Sequence, residues 1–94
     1  MKKRYKMDLN EKQNMILCRT TSFHAGSVTT KKLMEDSISF QKYWKRIPFF
    51  LRSRFKGASE ICVIRINRNE YGKARRSIDC LETKVRRRLV LNVI

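Results

Sequence analysis

Residues 33–55, LMEDSISFQKYWKRIPFFLRSRF, decide how this chain is read, because their apolar members recur at helical spacing. Leu33, Ser37, Phe40, Trp44, Ile47, Leu51 and Phe55 advance by three or four residues throughout. At 100° per residue these positions fall within about 80° of one another, a core-facing seam. Thr29 and Thr30 stand before the seam as capping residues. Pro48 interrupts it, since proline has no N–H for the i−4 carbonyl and drives Ile47 out of the helical region. The pattern predicts one helix near 30–46 and a second, with Pro48 in its first turn, to about 56. Gly57 stands where that helix should close.

Towards the amino terminus, His24 to Thr30 reads as a loop and 15–22, with Met15-Ile16-Leu17-Cys18 at its start, as a strand. Residues 1–14 read as a basic, flexible lead-in, although Asp8 and Glu11 have the spacing of a capping box that would start a short helix. Towards the carboxyl terminus, Ile61-Cys62-Val63-Ile64-Arg65-Ile66 has the β-branched, little-alternating look of a central strand. Asn67 and Glu70 then cap a helix with the stripe Tyr71, Ala74, Ile78, Leu81, Val85 and Leu89, and Leu89–Ile94 is β-prone. The expected fold is a small α+β domain over 15–94: strand, helix kinked at Pro48, strand, helix, strand. Its helices would pack on a three-stranded mixed or parallel sheet.

Charge dominates the composition: 23 Lys and Arg stand against 8 Asp and Glu, a formal +15. Self-repulsion of that size weakens a compact state, and a negatively charged partner explains its being tolerated. Residues 31–56 carry +6 and 72–94 carry +5, so the excess belongs to the folding body and not only to an arm. Three widely spaced cysteines, Cys18, Cys62 and Cys80, predict reduced thiols and hence an intracellular setting, cytoplasmic or associated with a nucleoid or nucleus. The basic start Lys2, Lys3, Arg4, Lys6 is followed by Asp8, Asn10 and Glu11 where a signal peptide needs an apolar stretch, so secretion is not expected. The longest apolar runs, Met15–Cys18 and Ile61–Ile64, are far short of the roughly 20 residues of a membrane span.

The basic residues are ordered as well as numerous. Lys73 and Lys84, Arg75 and Arg86, and Arg76 and Arg87 are each eleven apart. On one continuous helix that spacing puts each pair in line about 16 Å apart. Arg88 extends the second cluster, and guanidinium forks match phosphate oxygens. A second basic region comprises Lys42, Lys45, Arg46, Arg52, Arg54 and Lys56. Tyr43, Phe49 and Phe50 lie off the seam there as candidates for base stacking, with core packing as the plainer use of such rings, and Trp44 on the seam as core.

These residues point to a nucleic-acid-binding protein, a small regulator or ribonucleoprotein component, with DNA and RNA left open. The alternative is an interaction module or inhibitor docking on an acidic protein surface, anchored by Met34, Ile38, Phe49 and Phe50. Catalysis would rest on His24, the sole histidine, as acid or base of a small ribonuclease, and is not expected. Neither a metal nor another cofactor is expected, because Cys18, His24, Cys62 and Cys80 lack the close pairs of zinc sites and Gly26, Gly57 and Gly72 stand alone. Membrane-surface binding is disfavoured by Pro48 and Gly72, which interrupt the amphipathic stretches.

Overall fold

A computed structural model describes residues 14–55 and 57–91. Strand β1 (Asn14–Thr20) leads into helix α1 (Phe23–Glu35), followed by β2 (Phe40–Arg46), a 3-10 segment (Phe49–Phe55) and β3 (Glu60–Asn67). A 3-10 turn (Arg68–Glu70), helices α2 (Tyr71–Asp79) and α3 (Thr83–Arg86) and strand β4 (Val90–Leu91) complete the order. The four strands form one sheet in the order β2-β3-β1-β4, and every neighbouring pair is antiparallel. This connectivity, with β1 and β2 separated by β3, is the split β-α-β or ferredoxin-like arrangement. The expected three-stranded mixed or parallel sheet is therefore wrong. The missing strand is β2, which lies inside the stretch read as a helix.

The error has a physical cause. A spacing of four residues serves both periods: Phe40 and Trp44 share a face on a helix and equally on a strand. In β2 the alternating residues Phe40, Lys42, Trp44 and Arg46 pair with Ile66, Ile64, Cys62 and Glu60 of β3. Leu33 is buried in the last turn of α1, and Ser37, at φ 59°, turns the chain out of the helix. The helix itself begins seven residues earlier than Thr30, at Phe23. Ser22 caps it, its Oγ accepting from the Ala25 N–H at 3.0 Å. Gly26, within the stretch read as a loop, is buried where α1 meets the sheet; a Cβ there would lie 3.4 Å from Cys62 Sγ and 3.6 Å from Thr20 Cγ2.

Directly paired residues of a pleated sheet point the same way, so the register sorts its two faces. Towards the helices project Met15, Cys18 and Thr20 of β1, Cys62, Ile64 and Ile66 of β3, and Phe40. An irregularity in the β1 register between Ile16 and Cys18 lets Leu17 join them in the core. Ala25 and Leu33 of α1, Ala74 and Ile78 of α2, and Val85 and Leu89 complete that core. The opposite face carries Ile16 and Arg19, Ile61, Val63 and Arg65, Gln41, Tyr43 and Lys45, and Val90. No helix among the described residues is long and apolar enough to cross a membrane. The expected basic lead-in, the capping box at Asp8, Lys56 and residues 92–94 of the last strand lie outside the described residues.

Candidate functional site

The long basic helix expected over 71–89 is two helices. α2 ends at Asp79, and the chain turns through Cys80 to Glu82 before α3. The lysines and arginines paired at eleven-residue spacing therefore do not run in line, and they separate into different settings. Arg75 turns inward: its Nη1 donates to Tyr71 Oη at 2.8 Å and its guanidinium lies 5.8 Å from the Tyr71 ring. Lys73 and Arg76 are exposed and line a shallow cleft with Lys32, Asp36, Ser77 and Cys80. An acid already occupies that cleft, since Asp36 pairs with Lys32 at 3.6 Å and accepts a hydrogen bond from Ser77 Oγ. Lys84 is exposed, and Arg86 donates to Thr83 Oγ1 at 3.3 Å.

Arg87 and Arg88 behave differently. The turn after α3 is pinned by the buried Val85 and Leu89, with the Arg87 N–H bonded to the Thr83 carbonyl and the Arg88 N–H to the Val85 carbonyl. Both arginines are held at the surface by that anchoring. Arg54 reaches the same place from the segment that joins β2 to β3. The 3-10 segment that carries it starts after Pro48, and the chain turns beyond it at Gly57, whose φ of 85° suits glycine and whose N–H bonds to the Arg52 carbonyl at 2.7 Å. Arg52 serves that turn, its Nε donating to the Ile47 carbonyl at 3.2 Å.

Arg54, Arg87 and Arg88 together line a cleft of about 590 Å³ with Thr20, Thr21, Ser22, Ile61 and Val90. Its lining contains three guanidiniums and no carboxylate. Among the described residues none of the three arginines has an ion pair, and the ion pair found there joins Lys32 to Asp36. Ile61 and Val90 belong to the sheet face that also presents Arg19, Arg65, Tyr43 and Lys45, a face with no Asp or Glu at these positions. The cleft thus borders sheet positions that carry arginine and lysine and no carboxylate.

The remaining predicted residues lie on β2, an edge strand. Tyr43 and Lys45 join the acid-free face, whereas Lys42 and Arg46 project to the helix side with Trp44. Trp44, expected in the core, is exposed and stacks with Phe23 at a centroid distance of 6.3 Å and 17° between planes. Lys42 Nζ lies 5.9 Å from the Phe23 ring centre. Phe49 and Phe50 are 78% and 69% exposed and meet edge to face. Of the anchors expected for a protein partner, Met34 is exposed but Ile38 is buried in the core.

His24 is an exposed residue of the first turn of α1, not a loop residue, and is absent from the arginine cleft. No group of three or more His, Cys, Asp or Glu among the described residues is arranged to hold a metal. Burial pushes the Cys18 thiol up to about 12, with the neighbouring Cys62 adding to the effect and Arg19 opposing it. Burial likewise raises Cys62, against the pull of Lys42. Both are buried neutral thiols, and Cys80 is exposed.

Thr20, Thr21, Ser22 and Phe23 were not singled out from the sequence. The only signal of the first three there is a run of small hydroxyl residues after an apolar strand, common in any turn. No protein-family model, curated protein or solved structure matches the chain.

Proposed function

We propose that the protein binds nucleic acid, with the cleft of Arg54, Arg87 and Arg88 as its principal phosphate site. The observation that carries the reading is the meeting, in one acid-free cleft, of three arginines from segments more than thirty residues apart in sequence. Like charges so gathered repel one another unless an anion sits among them, and a planar guanidinium presents paired donors that match phosphate oxygens. Thr21 and Ser22 add hydroxyl donors at the same rim. Arg19, Arg65 and Lys45 extend the positive field over the adjoining sheet face, a path for a strand longer than one phosphate.

Equilibrium binding to single-stranded RNA, single-stranded DNA and duplex DNA of matched length, each at several salt concentrations, tests this. Affinity should fall steeply with salt, with a log-log slope worth several phosphates. Absence of binding at low salt, or binding without salt dependence, would refute the reading. A second reading, docking on an acidic protein surface, is favoured by the exposed Phe49 and Phe50 pair, the kind of aromatic anchor found at the centre of protein interfaces.

A further inference from the structure

We infer that the Phe23–Trp44 pair is a nucleobase platform, so that the protein prefers unpaired to paired nucleic acid; this deepens the reading just given and rests on it. Phe23 is 72% exposed and Trp44 36%, and their rings stack near-parallel at the start of α1 and on the edge strand β2. Core packing does not account for a ring so exposed, and no ring of this pair belongs to the hydrophobic core. Beneath them Thr21, Ala58, Ser59 and Glu60 line a second cleft, of about 460 Å³.

The two clefts meet at Thr21, which lines both, and Glu60 of the second is the chain neighbour of Ile61 in the first. Their chemistry is divided. One side offers Arg54, Arg87 and Arg88, the other a pair of rings, the hydroxyls of Thr21 and Ser59 and one carboxylate. A phosphate is drawn to the first and repelled by Glu60 at the second. A flat base gains on the rings through stacking, and its exocyclic amino group can donate to a carboxylate acceptor such as Glu60. The juxtaposition fits a nucleotide whose phosphate lies among the arginines and whose base lies on Phe23 and Trp44. Only a strand with its base out of the duplex stack can satisfy both halves.

Trp44 is the only tryptophan of the chain, so its emission reports the platform directly. The full-length protein is titrated with a ten-nucleotide single-stranded RNA, the same sequence as DNA, and a duplex of equal length. Either single strand should quench Trp44 emission saturably, while the duplex binds without comparable quenching; the two single-strand arms separate RNA from DNA. Phe23→Ala removes an exposed ring, so the fold is expected to survive, as unchanged circular dichroism would verify. It should weaken single-strand binding roughly five- to hundred-fold, the effect of losing one base stack, and leave duplex binding unchanged. Phe23→Tyr should retain the affinity. Binding of single strands without quenching, or an equal loss for strand and duplex in Phe23→Ala, would overturn the platform while leaving the phosphate cleft intact. Unchanged single-strand affinity in Phe23→Ala would also overturn it and assign the rings to a protein surface. Failure of every nucleic acid to bind would overturn both inferences.

Discussion

Replacing Arg54, Arg87 and Arg88 together by glutamine removes three cations from one cleft and leaves the core untouched. All three are exposed, and among the described residues none is held in an ion pair, so the change in folding stability should stay within about 0.5 kcal/mol per site. Each phosphate neutralised on a single strand contributes roughly 0.7 to the log-log salt slope, so three lost contacts flatten that slope by about 2. Between 50 and 200 mM salt the wild-type affinity should therefore fall about twenty-fold further than that of the variant. Fluorescence anisotropy of an end-labelled single strand at four salt concentrations measures both slopes. The matched control is Lys73→Gln, Arg76→Gln, Lys84→Gln, which removes the same charge from α2 and α3 outside the cleft. If both triple variants flatten the slope alike, net charge governs binding and the cleft has no special role; if neither does, the phosphate site is elsewhere.

Other consequences concern the fold and its thiols. Ser37 holds a left-handed φ of 59° at the exit from α1, so Ser37→Gly should raise stability by about 1 kcal/mol in urea denaturation, whereas a loss would contradict a strained turn there. Iodoacetamide at neutral pH should alkylate the exposed Cys80 alone, with all three thiols reacting after unfolding; two or three native adducts by mass spectrometry would contradict the burial of Cys18 and Cys62. Because burial pushes the Cys18 thiol from 9.0 up to about 12, the unfolded chain loses this proton first as pH rises. The stability linked to it is intact below about pH 9 and lost towards 12, at about 1.4 kcal/mol per pH unit. The advantage of wild type over Cys18→Ala should accordingly shrink between pH 8 and pH 10.5, and a constant advantage would rule the linkage out.

The sequence disclosed those elements whose signal is local. The apolar run around Ile61–Ile66 lies in β3, in the middle of the sheet, and Met15–Cys18 lies in β1. Asn67 caps the turn into α2, its Oδ1 accepting from the Asn69 N–H at 2.8 Å. What stayed hidden was set by tertiary contact. Gly26, Thr29 and Thr30 are poor helix formers, yet all three are buried on α1, with Gly26 placed against Cys62 and Thr20 of the sheet. The break between α2 and α3 contains no glycine or proline, so the stripe Ile78, Leu81, Val85 read straight across it. In the candidate site, Arg54, Arg87 and Arg88 were legible as basic residues of two separate regions. Their meeting depends on Gly57 turning one region back and on Val85 and Leu89 anchoring the other, which no spacing along the chain expresses.

Binding of nucleic acid in the arginine cleft can be followed residue by residue. Its most direct test is a titration of the 15N-labelled protein with an unlabelled single strand, followed by amide and guanidinium shifts. Saturating shifts centred on Thr20, Thr21, Ser22, Arg54, Arg87 and Arg88, suppressed by high salt, are expected. Shifts confined to the α2 surface around Lys73 and Arg76, or none at a concentration where binding is complete, would contradict it.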